Sequence, residues 1–475
     1  MSVQSDLLSS KWLQGSLLGR LALVSADLKS WWDGSFLGKI QGSLEPWAHK
    51  SAFGSWLMPL SLGWAGILFL FAPFTSTEQI GIFLLAGAVL WAGLFLTKKQ
   101  SLSPLTLPVA AFWAAGVVST TASIHAATSL EGLVKFTLYI LAFALLSRLC
   151  QSPQYRTILL GCYLLAVLPV CAEGIRQWIV GVPPQPGWVD AESTLADATR
   201  IYSYLGNPNL LAGYLVPAVP LGLAGAVLFK AWSAKAVAAS GAVLGAVCIL
   251  LTYSRSGFLA LGAMVLVLAL FGVQTLSQRL SSKQRFWLWP SLIGAGVLAL
   301  VVISIVAPSV VERFATIFSS KGDSSSAHRV NVWVASFQMF QEHLWLGIGP
   351  GDRTFKVIYP FYQRGSYDAL GTYSIPLEIA VEMGLLGLST FLWILWTTGV
   401  WGMSIWRKLV TKNPRTALLV ACCLTAMAGL MVQGFVETVW YRPQVQTLWW
   451  LALAMIAGIC LEESPSPELG AKRAS

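Results

Sequence analysis

Three arginines occupy settings in which the chain could hold an anion. Arg255 lies in Thr252-Tyr253-Ser254-Arg255-Ser256-Gly257, a polar knot between two apolar runs with almost no loop. Arg200 comes just before Gly206-Asn207-Pro208-Asn209, a turn that opens an apolar run and could aim the backbone N–H groups of a helix start at negative charge. Arg329, beside His328, heads a stretch in which Trp333, Phe337 and Phe340 recur at helical spacing. A guanidinium suits phosphate because it is planar, stays charged at any working pH and donates two parallel hydrogen bonds. An arginine beside an apolar run also serves by snorkelling or structural pairing, so the inference rests on the three together. Lys135, Glu173, Arg176, Glu378, Glu382 and Glu437 also lie in or beside apolar runs, where a charge is costly and its depth is informative. Gly347-Ile348-Gly349-Pro350-Gly351 looks like a nucleotide loop, but no Lys-Ser or Lys-Thr follows it and no strand precedes it, so it reads as a tight turn.

The elements that must carry these residues are membrane helices. The 475 residues are 56% hydrophobic and 11% charged, with a mean hydropathy of +0.66, so lipid must be the solvent for most of the chain. Apolar runs near 20 residues, enough to cross about 30 Å of hydrocarbon, recur throughout. The net charge of +10 does not point to nucleic acid, because no basic patch is interleaved with stacking aromatics and most Lys and Arg fall between apolar runs. Cys150, Cys162, Cys171, Cys248, Cys422, Cys423 and Cys460 read as buried small hydrophobes, and with only four scattered histidines no metal site or other cofactor is expected. No cleavable signal peptide is expected, since the first long apolar run starts near Phe53.

The expected fold is an all-α polytopic membrane protein of about twelve transmembrane helices. Nine span 54–307, a large loop covers 308–372, and three more span 373–461. The short loops with Lys98 and Lys99, Arg148 and Arg156, Lys230 and Lys235, Arg279, Lys283 and Arg285, and Arg407 to Arg415 are assigned to the cytoplasm. The alternate set, nearly free of basic residues in its short members, contains the 181–206 segment and the large loop and faces outward. Both tails, 1–53 and 462–475, are then cytoplasmic, in the inner (plasma) membrane. In the first tail Leu13, Leu17, Leu21, Val24, Leu28 and Trp32 recur at helical spacing, which fits an interfacial helix or an unstructured tail alike. With this orientation the charged residues gather at the outer half of the bundle. No feature of the sequence sets an oligomeric state.

The run Arg200 to Tyr214, then Ser254 to Gly257, Arg329 to Trp333, Gly347 to Gly351 and Glu382-Met383-Gly384-Leu385-Leu386-Gly387 resembles the O-antigen ligase and polymerase superfamily. Within it the chain looks closest to a cyanobacterial branch labelled inorganic-carbon, or bicarbonate, transporters. The resemblance implies a metal-independent glycosyltransferase that moves a glycan from an undecaprenyl diphosphate carrier to an acceptor hydroxyl at the outer face, with Arg200, Arg255 and Arg329 holding the diphosphate. The family's acceptor-assisting histidine corresponds to Tyr373, with Ser374 replacing the usual asparagine. A phenol, with a pKa of about 10, is poorly poised as a general base near neutrality but can orient a hydroxyl. Glu378 and Glu382, on the same span, are the alternative bases, or else helix-start carboxylates that pair with an arginine.

Two functions therefore compete, a lipid-linked glycan protein and a bicarbonate transporter, with a non-catalytic scaffold as a third. A transporter usually binds at the midplane, between broken helices or repeats, with an acid there for a coupling ion. Neither such an acid nor a clear repeat is evident in the sequence, and the arginines are placed at headgroup depth, so the glycan reading is preferred.

Overall fold

Within hydrocarbon, backbone N–H and C=O groups have no water to bond, so each apolar run must satisfy them as a helix. A computed structural model describes residues 19–21, 32, 34–49, 52–97, 102–182, 199–277, 280–306, 324–365 and 368–463. The described residues form helices and short connections, with no strand among them. In chain order the helices are α1 (Phe36–His49), α2 (Ala52–Phe71), α3 (Thr77–Thr97), α4 (Thr106–Ala122), α5 (Ala126–Leu149), α6 (Pro153–Val180), α7 (Pro208–Leu215), α8 (Ala218–Leu228), α9 (Trp232–Leu251), α10 (Arg255–Ser277), α11 (Ser282–Val306), α12 (Ser324–Glu342), α13 (Asp352–Ile358), α14 (Ile375–Lys412), α15 (Pro414–Gly434) and α16 (Pro443–Glu463). Most of the expected interfacial stretch from Leu13 to Trp32 lies outside the described residues.

Among the described residues ten helical stretches are long and apolar enough to cross a membrane, α7 and α8 counting together as one. The other two of the twelve expected spans are shorter apolar helices, Thr106–Ala122 and Phe286–Leu298. The chain therefore folds as an all-α polytopic membrane protein. α16 lies at its centre, with every residue from Pro443 to Cys460 except Gln446 buried. Gly458 makes the approach possible, since a Cβ there would stand 2.4 Å from the backbone carbon of Cys150. On α16 itself Trp449 packs edge to face with Trp450 and with Trp440, which precedes the helix.

The two ends of the bundle differ. At one end Arg156 pairs with Glu462 at 2.6 Å and Lys408 with Glu463 at 2.7 Å. At the other, α12 and α13 of the large loop cover the helix ends, with Val332, Ala335, Met339, Ile348, Phe355, Ile358 and Tyr359 forming a small core against Val381 of α14. Of Trp333, Phe337 and Phe340, Trp333 and Phe340 are half-buried, Phe340 packing on this core, and only Phe337 faces out. Phe337 is 51% exposed, whereas Val332, Ala335, Ser336 and Met339 turn inward.

Two of the expected spans are interrupted. The run from Asn209 to Phe229 divides at Val216 and Pro217 into α7 and α8. α14 breaks at Gly384, whose φ of 62° and ψ of −161° are non-helical. The break frees backbone groups, and the segment from Leu344 to Gly349 takes them up. Ile348 N donates to Val381 O at 2.9 Å and Gly349 N to Glu382 O at 2.9 Å, while Leu385 N donates to Leu344 O at 2.8 Å and Leu386 N to Trp345 O at 3.2 Å. Irregular backbone in a span is tolerated where protein satisfies it in this way. The glycine-rich turn and Gly384 are thus two halves of one joint, and a Cβ on Gly347 would meet Glu382 backbone at 2.4 Å.

Candidate functional site

Arg200 reaches the turn that precedes Arg255 at the loop end. α9 ends at Leu251, Tyr253 takes a left-handed φ of 51°, and α10 begins at Arg255. Arg200 Nε donates to Thr252 O at 3.1 Å, so its guanidinium satisfies a carbonyl left over at the end of α9. The turn is held by Ser254 Oγ, which lies 3.0 Å from Ser256 Oγ and accepts from Gly257 N at 3.3 Å. Gly257 allows α10 to approach α7, where a Cβ would lie 3.0 Å from that of Ala212.

Arg329 is tied to α7 by a charged relay. Its Nη2 donates to Glu437 Oε2 at 2.6 Å, and Asn209 Nδ2 donates to the same oxygen at 2.7 Å. The pair is largely withdrawn from solvent, with side-chain exposures of 18% and 8%. Gln433 Nε2 completes the relay by donating to Asn209 O at 2.9 Å. The start of α7 does not offer its N–H groups to an anion, contrary to expectation. Asn207 caps it, its Oδ1 accepting from Asn209 N at 2.8 Å and Leu210 N at 3.3 Å, as an Asn before an N1 proline does.

Tyr373 stands next to this relay, two residues before α14, with a left-handed φ of 51°. Its carbonyl accepts from Trp333 Nε1 at 3.3 Å, and its ring meets that of His328 edge to face at 5.6 Å. His328 Nε2 is itself 2.9 Å from Asp368 O. Burial pushes the Tyr373 phenol above its ordinary pKa, and the Glu437 carboxylate pushes the same way against Arg329.

Glu378 and Glu382 lie elsewhere, in the wall of a cavity of about 650 Å³ that Tyr373 does not line. The cavity runs between the starts of α3, α5, α14 and α16. Three pairs join α13 and α5 beside it or hold α13 itself: Arg353 to Glu131 at 2.7 Å, Lys135 to Asp352 at 3.4 Å and Lys356 to Asp352 at 3.0 Å. Burial alone would raise the Asp352 pKa, but Lys356 and Lys135 hold it below the usual carboxylate range. Arg442 lies against the Tyr441 ring, 4.9 Å from its centroid, and lines the same cavity. Sequence reasoning passed over Arg442, although it is an arginine in a short loop of the set otherwise nearly free of basic residues. Glu131, Asp352 and Arg353 carried no local signal, being ordinary charges at a helix start and in a loop.

No curated protein matches the chain. Residues 240–392, about a third of its length, match the family model described as O-Antigen ligase, a stretch that takes in Arg255, Arg329, Tyr373, Glu378, Glu382 and the whole joint at Gly384, so this part of the chain is similar to that family.

Proposed function

We propose that the chain is an O-antigen ligase-like protein of the inner membrane that binds a polyprenyl-diphosphate-linked glycan at its outer face and transfers the glycan to an acceptor hydroxyl. The observation that supports this reading is the bond from Arg200 to Thr252, three residues before Arg255, with Arg329 bound to Glu437 beside Asn209 of α7. Arg255 and Arg329 fall inside the matched stretch. The guanidinium groups hold the diphosphate, whose charge grows as the glycan leaves, so the same contacts stabilise the transition state. Glu437 keeps Arg329 oriented and lowers the net charge of the site. Tyr373, protonated near neutrality, orients the incoming hydroxyl rather than deprotonating it.

Binding of radiolabelled undecaprenyl diphosphate to the purified protein in nanodiscs tests this. Arg255→Lys replaces a planar fork by a point charge and should weaken binding about tenfold, the equivalent of roughly 1.4 kcal/mol. Absence of binding by the unaltered protein, together with Arg255-dependent uptake of labelled bicarbonate in cells, would replace the glycan reading by the transporter one.

A further inference from the structure

The cavity between the starts of α3, α5, α14 and α16 is lined by two chemically different sets of open polar groups. On the segment that leads into α16, Trp440 and Arg442 both line it. The Trp440 indole N–H and the Arg442 Nε are shielded from solvent, and neither has a hydrogen-bond partner among the described residues. Arg442 also forms no salt bridge there, whereas the other cations of the lining are engaged, Arg353 with Glu131 and both Lys135 and Lys356 with Asp352. On α14, Glu378 and Glu382 stand one helical turn apart and line the same cavity, again without a salt bridge among the described residues, and Glu378 Oε2 is a shielded acceptor with no partner there. Glu78, the remaining acid of the lining, is exposed in the first turn of α3. Buried polar groups without partners are rare, and here two donors and an acceptor border one space.

The pattern selects an occupant with two ends. One unengaged guanidinium with an indole donor two residues away matches a single negative charge, so a phosphodiester fits, whereas the extra charge of a diphosphate would meet Glu378 and Glu382 uncompensated. Carboxylates accept hydrogen bonds, so the other end must donate, as a primary ammonium or a hydroxyl does and a quaternary ammonium does not. A volume of about 650 Å³ suits a small molecule, for which pockets run roughly 300–1,000 Å³, rather than a single ion. Leu84, Phe112, Leu138 and Met383 supply an apolar part of the lining. Gly81 of α3 also lines the cavity, and a Cβ there would meet nothing within 4 Å. Next to it Ile82 and Leu85 present exposed apolar side chains, as does Val134 of α5. Acyl chains can lie along these lipid-facing helices while the headgroup sits inside, as headgroups do in basic pockets between spans.

We propose that this cavity is a phospholipid site, which takes the phosphodiester of the headgroup on Arg442 and Trp440 and its ethanolamine or glycerol end on Glu378 and Glu382. The occupant is a lipid of the surrounding bilayer, so the site stands independently of the glycan-transfer reading.

Native mass spectrometry of the purified full-length protein, stripped of lipid in detergent and titrated with dioleoyl phosphatidylethanolamine, phosphatidylglycerol or phosphatidylcholine, tests the assignment. The first two should bind about tenfold or more tightly than phosphatidylcholine, whose headgroup has no donor, and this comparison needs no variant. Arg442→Gln should weaken both by about tenfold, and Glu378→Gln combined with Glu382→Gln should weaken phosphatidylethanolamine by as much, on the loss of charge-assisted bonds. Arg176→Gln, at an exposed arginine outside the cavity, should change neither. Size-exclusion chromatography confirms that each variant remains monodisperse. Equal binding of all three lipids, or unchanged binding in Arg442→Gln, overturns the site. Displacement of the lipid by equimolar undecaprenyl diphosphate in an Arg442-dependent manner also overturns it, giving the cavity to the diphosphate. Displacement by equimolar glycerophosphoethanolamine or glycerophosphoglycerol identifies a soluble phosphodiester as the ligand, and its failure identifies the lipid, with the site upheld in both cases.

Discussion

Gly384→Ala should unlock the large loop from α14. With φ at 62° and ψ at −161°, the residue sits in a region populated almost only by glycine, where a side chain costs about 1–3 kcal/mol. The added Cβ would stand 2.3 Å from both the carbonyl carbon and the oxygen of Trp345 and 2.5 Å from Leu346 N. These are backbone atoms, so no side-chain rotation relieves the clash. Moving them apart breaks the bonds from Leu385 to Leu344 and from Leu386 to Trp345, at about 0.5–1.5 kcal/mol each. The sum is a loss of roughly 2–6 kcal/mol. A thiol-reactive fluorescent dye followed during heating reads this directly, because the cysteines are buried or half-buried in the folded protein. The midpoint should fall by several degrees. Gly399→Ala is the internal control: it lies on the same helix, a Cβ there meets nothing within 4 Å, and the exchange should leave the midpoint unchanged or raise it slightly. Equal midpoints for Gly384→Ala and the unaltered protein would refute the joint.

The Arg329–Glu437 pair is partly buried, so Glu437→Leu, which strands the guanidinium, should destabilise by about 3–5 kcal/mol, and adding Arg329→Leu should restore part of the loss; a double variant no more stable than the single one would contradict the pairing. Asp352 has its folded pKa held below the unfolded value, so its stabilising contribution is present above about pH 4 and is lost as pH falls through the lowered value. Thermal midpoints measured from pH 6 to pH 3 should therefore drop less in Asp352→Asn than in the unaltered protein. For orientation, an impermeant thiol reagent on intact cells should label a cysteine placed at Ser325 but not one at Ser282, and the reverse pattern would invert the proposed topology.

The spans were legible because a twenty-residue apolar run has one solution in lipid. The break in α14 was not, since Gly384 sits in an apolar stretch where glycine is common in membrane helices. Its meaning comes from Trp345 and Leu346, nearly forty residues away in sequence. The turn at Gly347 to Gly351 was recognised as a turn, but nothing local says which helix it docks on. Arg329 and Glu437 were each singled out as costly charges near a span, yet their pairing is a property of the fold across 108 positions. Asn207 was visible beside its proline in a turn expected to aim backbone N–H groups at an anion, whereas its short polar side chain caps the helix itself. On α12 the aromatic spacing drew attention, while the fully buried positions are Val332, Ala335, Ser336 and Met339, one residue out of register with it.

The burial of α16 constrains assembly. α16 is synthesised after α2 to α15, yet it is packed among them. At about 5–20 residues/s, the 29 positions from Gly434 to Glu463 occupy the ribosome for a few seconds, during which the earlier helices are in the bilayer without their central neighbour. They must be held apart, by lipid or by the insertion machinery, until α16 enters sideways. Gly458 sets the tightest clearance in that last step, because it slides past the carbonyl of Cys150, so a chain altered there would be caught as an open, protease-sensitive intermediate rather than as an unfolded one.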